Sequence, residues 1–331
     1  MRKAGIVGCA MLYTLSMFLM LNRYEPLGKN AIWLLPLSAL VFLLLDLLIQ
    51  FPKKKTWFAR YVNWPLGAKL GCMVVIVGFV LTNLVIVAPA SPLMIRSMSL
   101  THTPAIVITL AMGLVIYQIS LMKQDRFESF CALLGWLFLL GFLFLSGIGL
   151  QMPSHAVLPF TSLTTLQISQ GIWFYLLVLF FPVAVIKSLA DTKDYHAIRI
   201  GVIAAVFVFA IVYAGQIYLL GETVVKAVTY PTITAASILS YGNFLQRLEL
   251  IAMFGVATAD IVRQTVLMRF CYRLLRVHFT QLTSRIALAF LLILVIGMQF
   301  FLIPSFAVWY PLCIAFSIVF GSACILLWIF A

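Results

Sequence analysis

The stretch IGVIAAVFVFAIVYAGQIYLL, from Ile200 to Leu220, runs 21 residues without a charged side chain. As a helix it rises about 30 Å, the thickness of the hydrocarbon core of a bilayer. Hydrocarbon offers the backbone no water to bond, and a helix satisfies its own N–H and C=O groups, so the run predicts a membrane-crossing helix. Nine further runs of the same character fall at about 4–21, 31–51, 70–88, 105–122, 130–150, 171–190, 246–268, 286–303 and 308–330. None alternates apolar and polar residues as barrel strands do. The expected fold is therefore an all-α polytopic membrane protein with ten transmembrane helices. Pro36, Pro182 and Pro311 interrupt three runs and predict kinks, which neighbouring helices can tolerate in a membrane.

The whole chain agrees with its runs. Of 331 residues, 64% are apolar and 9% charged, whereas a soluble domain is about half apolar and a quarter charged. Ten crossings of roughly 20 residues leave short loops and no sizeable soluble domain. The net charge of +13 then reads as a topology signal, because Lys and Arg gather in cytoplasmic loops. This excludes a nucleic-acid footprint. With the N-terminus inside, 16 basic residues fall in inner segments, 5 in outer ones, and Arg263 lies within the eighth run. Both termini are expected in the cytoplasm. The first run follows Arg2-Lys3 like a signal peptide, but ends Leu21-Asn22-Arg23 without a small-residue cleavage site, and reads as a retained helix.

Chemistry-bearing motifs are scarce. Cys9, Cys72, Cys131, Cys313 and Cys324 lie in apolar runs and Cys271 in a basic segment, without metal-ligand spacing. His102, His155, His196 and His278 scatter over loops on both sides, so no metal cluster is expected. No nucleophile motif, phosphate loop or paired-carboxylate spacing supports an enzyme or a cofactor. Two outer segments, 151–170 and 221–245, are long enough for short surface helices or a cap. The inner segment 51–69 mixes three lysines with Trp57, Phe58, Tyr61 and Trp64, which suits a helix lying in the interface.

The loops carry more specific text. Tyr230-Pro231-Thr232 is followed by Ser240-Tyr241-Gly242-Asn243-Phe244-Leu245-Gln246-Arg247-Leu248-Glu249. Earlier stand Gly28-Lys29-Asn30-Ala31, Phe51-Pro52-Lys53-Lys54-Lys55-Thr56, Leu66-Gly67-Ala68-Lys69-Leu70-Gly71 and Thr103-Pro104. In this order, with a basic residue (Arg263) in the eighth run, they resemble the spore germination permeases, the B subunits of nutrient germinant receptors. That family is similar to the amino acid–polyamine–organocation transporters. The resemblance implies two inverted five-helix repeats, about 4–150 and 171–303, with a final helix at about 308–330. It implies a subunit of the spore inner membrane or cell membrane that senses a small nutrient such as an amino acid and triggers spore germination. A-type and C-type receptor subunits would be its partners. The alternative is a secondary amino-acid or cation transporter working by alternating access; a third reading is a scaffold that has lost ligand binding.

In such folds the ligand site lies where the first and sixth helices break, near the bilayer midplane. The first run keeps Gly5 and Gly8 near its inner end, but its middle, Tyr13-Thr14-Leu15-Ser16, lacks the family's helix-breaking glycine. Thr14 and Ser16 are candidate ligand contacts, against the plainer reading that they pack helices together. The sixth run opens Gly171-Ile172-Trp173-Phe174-Tyr175, with Trp173 near the place where the family often carries a carboxylate. Gly171, Trp173 and Tyr175 either shape an apolar side-chain pocket or face lipid. Asn83 in the third run, Gln118 in the fourth and Gln216 in the seventh are candidate interhelical donors. Only Asn83 sits on a helix that the resemblance places beside the pocket.

Charged groups inside a bilayer cost roughly 2.5–3.5 kcal/mol each on insertion scales unless partnered. Asp260 and Arg263, three residues apart, share a helix face and can pair. The pair either stabilises its helix or relays charge to the core. Asp46, near the inner end of the second run, is expected to reach Lys53 to Lys55 or water. Arg247 and Glu249 are too close in sequence to face each other on a helix, so each is expected to clamp a different neighbour, as a gate or subunit contact.

Overall fold

The structure is a computed structural model and describes residues 2–21, 30–50, 61–87, 92, 94–96, 102–149, 164–190, 194–228, 230–239 and 247–302. Among them are eleven helices: α1 (Arg2–Leu21), α2 (Ala31–Gln50), α3 (Leu66–Val87), α4 (Ala105–Ser120), α5 (Gln124–Gly149), α6 (Thr165–Leu189), α7 (Tyr195–Leu220), α8 (Glu222–Ala227), α9 (Pro231–Ile238), α10 (Glu249–His278) and α11 (Gln281–Leu302). Nine of the ten apolar runs coincide with helices, while the last, 308–330, lies outside the described residues.

Four helices, α5, α7, α10 and α11, are long and apolar enough to cross a membrane. Their outward faces say the same. On α5, Leu133, Trp136, Leu137, Leu140 and Leu143 recur at helical spacing, each more than half exposed. Leu282, Ile286, Phe290 and Ile293 do so on α11. Such stripes would drive aggregation in water and are at home against lipid. The chain is a membrane protein.

Two compact units emerge, each drawing on both halves of the chain: residues 1–48, 128–179 and 197–259, and residues 49–127, 180–196 and 260–331. In the first unit, small residues let backbones nearly touch. A Cβ on Gly5 would run into the backbone of Glu128, and one on Gly8 would lie 2.5 Å from the Cys131 carbonyl oxygen. Gly201 stands equally close to Val7 and Ala10. Farther along, Phe18 stacks on Phe209 at 4.8 Å between ring centroids. Residue numbers therefore rise together along α1, α5 and α7, and the three helices run parallel. The start of α10 runs against α5, since Gly141 meets Ile251 while Gly255 meets Phe138 and Phe142.

Charged groups gather where these helices begin. Asp46 near the end of α2 accepts from Arg199 at the start of α7, at 2.7 Å, and Arg2 lies 4.0 Å from the buried Glu128. The expected partners of Asp46, Lys53 to Lys55, lie outside the described residues; the observed one is 153 positions away in sequence. Burial demands a nearby cation, and the chain reversal between α2 and α7 supplies it.

In the second unit, α11 packs on α3 and α4. Gly113 of α4 faces Leu292 and Ile296, and the Tyr117 hydroxyl donates to the Arg285 carbonyl at 3.5 Å, so α4 and α11 are antiparallel. The basic end of α10 closes other helices. Arg269 donates to the carbonyls of Ile119, Ser120 and Met122 and to Gln124 Oε1, at 3.4, 3.3, 2.8 and 2.7 Å. Arg273 donates to the Leu189 carbonyl at 2.6 Å. The last carbonyls of a helix lack partners within it, and an arginine fork supplies them. Residues counted as a topology signal thus also cap helices α4 and α6.

Several local expectations change. The sixth helix, expected to break at Pro182, continues through it to Leu189. Gly171 falls inside α6, which begins at Thr165. α1 is continuous from Arg2 to Leu21. The proposed interface helix falls mostly on 51–60, outside the described residues; beyond it Tyr61–Trp64 form a turn. There the buried Tyr61 hydroxyl lies 3.0 Å from His278 Nε2, and burial pushes its phenol up to about 12. Segment 221–245 does yield short helices, but α9 buries Pro231, Thr232, Ile233, Ala235 and Ala236 rather than lying on the surface.

Candidate functional site

Three arrangements hold the polar chemistry. The first is on α10, where Asp260 and Arg263 are both fully buried. Arg263 Nε and Nη2 donate to Asp260 Oδ1 at 3.0 and 2.7 Å, and Gln264 Nε2 donates to Oδ2 at 2.8 Å. The pairing expected from the three-residue spacing is present, with Gln264 one position on as an unforeseen third member. A helix presents i, i+3 and i+4 side by side, so α10 neutralises its own buried charge. Arg247 and Glu249 do pair, at 2.9 Å, contrary to expectation. Arg247 precedes the first turn of α10, where the backbone is not helical, so helix spacing does not separate the two. With Arg247 64% exposed, this is a surface ion pair, worth at most about 1 kcal/mol.

The second arrangement is the middle of α1. Thr14 and Ser16 are fully buried, as is Tyr175 of α6, whose ring centroid lies 6.3 Å from that of Phe18. Ala10, Thr14 and Phe18 are four residues apart on α1. Since Ala10 meets Gly201 and Phe18 stacks on Phe209, Thr14 sits between these two contacts with α7. A helical Ser or Thr commonly donates to the carbonyl four residues back, as Ser38, Thr109 and Ser146 do. Thr14 Oγ1 makes no hydrogen bond among the described residues. A buried hydroxyl in that condition costs roughly 1–3 kcal/mol, and a bound polar group would remove the cost. Thr14, Ser16, Gly171 and Tyr175 all belong to the first unit. Trp173 lies on α6 and Asn83 on α3, and both side chains fall outside what the structure describes.

The third arrangement is a cavity of about 320 Å³ in the first unit. Its walls are the end of α5 (Phe142, Leu145, Ser146), the last turns of α7 from Ile211 to Leu219, and α9 with Leu239. Gln216 Nε2 donates to Thr232 Oγ1 at 2.9 Å and ties α9 to α7. Of the residues expected to bind ligand, those whose side chains are described, Thr14, Ser16, Gly171 and Tyr175, do not line it. Gln216 was legible as a donor, but its partner is the short α9 rather than a long helix. Gln118, grouped with it as a candidate donor, is exposed. Before α8 the chain turns sharply at Gly221, whose φ of 79° favours glycine. Tyr230 opens α9, and burial pushes its phenol up to about 12, so it stays neutral. The described cysteines, Cys9, Cys72, Cys131 and Cys271, are buried, and no disulfide links them.

The chain matches no protein-family model and no curated protein.

Proposed function

We propose that this chain is the membrane-embedded subunit of a spore nutrient germinant receptor. It binds a small nutrient such as an amino acid and passes the resulting bias in helix packing to A-type and C-type partners. The observation that carries the reading is the ordered series of loop signatures, above all Tyr230 to Glu249. Two features of the fold support the permease-like architecture of ten helices in two inverted repeats. Helices α1, α5 and α7 run parallel and α10 opposite to α5, as alternate crossings require. The division into units also recurs at an offset of five runs. The first unit takes α1, all but the last two residues of α2, most of α5, most of α6 and all but the first two residues of α7, while the second takes α3 and α4, then most of α10 and all of α11, so the recurrence covers the first four helices of each five.

Because α1 and α6 are continuous, ligand contacts come from side chains rather than from unwound backbone. Thr14, with its unsatisfied hydroxyl, is the first of these, beside Ser16 and Tyr175. In this reading the protein performs no catalysis and needs no cofactor. It lies in the spore inner membrane or cell membrane with both termini in the cytoplasm.

The test is deletion and complementation in an endospore-forming host, with germination scored against single amino acids. Loss of response to one nutrient, with the chain co-purifying with A-type and C-type subunits, supports the reading. Unchanged germination together with amino-acid uptake by proteoliposomes would replace it with the transporter. For orientation, Lys53→Cys should resist an impermeant thiol reagent applied to intact cells; labelling there would overturn the topology.

A further inference from the structure

We infer that the cavity between α5, α7 and α9 is a binding site for a small, uncharged, predominantly apolar molecule. The inference holds whether or not the receptor reading does. The volume, about 320 Å³, is at the lower end of ligand pockets and about twice that of a cavity that holds benzene. The space is not sealed inside the core, since Ile211 in its wall is half exposed, and an occupant can reach it from outside.

The wall chemistry selects the occupant. Among the described residues no charged side chain lines the cavity, so an ammonium or carboxylate would lose its hydration without a partner there. The Ser146 hydroxyl is turned to the Phe142 carbonyl at 2.8 Å. Tyr218 also lines the wall, and the Gln216–Thr232 hydrogen bond, with both residues buried, is a polar feature of it. It suits one hydroxyl or ether on an otherwise apolar body.

The roof suits exchange. α9 has eight residues and no side-chain cap at its N-terminus. It is buried on its inner side, and the Gln216–Thr232 hydrogen bond joins it to α7. A free molecule can pass such a lid. A lipid acyl chain would not need one.

Gly215 makes the site testable. It lines the cavity, and a Cβ placed on it meets no atom within 4 Å, so Gly215→Phe fills the space without a backbone clash. Ser146→Phe fills it from α5. The purified full-length protein would be photolabelled with a trifluoromethyl-diazirine benzyl alcohol in nanodiscs, and the adducts mapped by mass spectrometry. We expect adducts on 211–219 or 232–239 that benzyl alcohol competes away saturably, while benzylammonium and benzoate do not. Either filling variant that remains monodisperse should lower this labelling at least tenfold. Labelling that does not saturate in the unaltered protein would overturn the proposal, as would equal competition by the charged analogues or equal labelling in a folded variant. A phospholipid that co-purifies in the cavity, and is lost in Gly215→Phe, would overturn it in favour of an acyl chain.

Discussion

The buried cluster on α10 makes an asymmetric prediction. Asp260→Asn leaves the Arg263 guanidinium, fully buried, without the carboxylate that accepts from its Nε and Nη2. Breaking a buried pair from one side costs about 3–5 kcal/mol. At roughly 1.4 kcal/mol per tenfold, that is two to four powers of ten in the ratio of folded to unfolded protein. Arg263→Gln should cost less. A stranded carboxylate can take up a proton and keep the Gln264 hydrogen bond, whereas a guanidinium cannot lose its charge. The double change removes both charges and should recover most of the loss. Heat-step gel filtration of detergent-purified protein would order the four forms. The expected order is unaltered, then double, then Arg263→Gln, then Asp260→Asn. Additive losses in the double variant would refute the reasoning and assign each residue a separate partner. A well-folded double variant that germinates normally would leave the pair structural; one that inserts but fails to respond would make it part of the switch.

Arg269→Ala should free the α4–α5 turn, costing about 2–3 kcal/mol as charge-assisted hydrogen bonds to four acceptors are lost; unchanged trypsin cleavage at Lys123 in inverted vesicles would refute this. Gly8→Ala must push against the Cys131 carbonyl oxygen, 2.5 Å from the new Cβ, while Gly215→Ala meets open space. The first should lower the melting temperature by several degrees and the second should not, and equal effects would refute the close approach of α1 and α5. Tyr230, raised to about 12 from 10.0, should contribute stability that is present below pH 10 and lost as pH rises toward 12. Comparing phenolate absorbance of the unaltered protein with Tyr230→Phe near pH 11 checks this, and full ionisation there would refute it. Ser16→Leu and Asn83→Ala should shift the nutrient concentration needed for germination without lowering abundance, and no shift at either would remove them from the ligand site.

Long apolar runs are legible because hydrocarbon leaves the backbone one economical conformation. Where the structure departs from those runs, charge is the reason. The eighth run was read to end at 268, yet α10 continues to His278. Arg269 and Arg273 belong to that helix and use their length to reach the carbonyl ends of other helices, a role that looks like loop charge in sequence. Pro182 was read as a break because proline removes one hydrogen bond. A membrane helix has no water to take over the rest of the ladder, so it carries the proline inside a continuous α6.

For side chains the dividing line is whether both partners share a helix. Asp260 and Arg263 were legible as a pair because three positions along one helix fix their neighbourhood. The same rule misled at Arg247, since it presumes a helix that has not begun there. Partners on different helices left no such trace. Asp46 finds Arg199 and Gln216 finds Thr232 only because the fold brings together segments whose separation in sequence says nothing about it. The cavity is harder still, because a space is defined by missing atoms. Gly215, Ala235 and Ala236 are small residues of the kind that pack helices together, and small residues do close the gap where α1 meets α5. Along α7 and α9 the same residue type does the opposite. Among the described residues, no atom lies within 4 Å of a Cβ placed on Gly215, and room of the kind that elsewhere lets backbones touch stays open there.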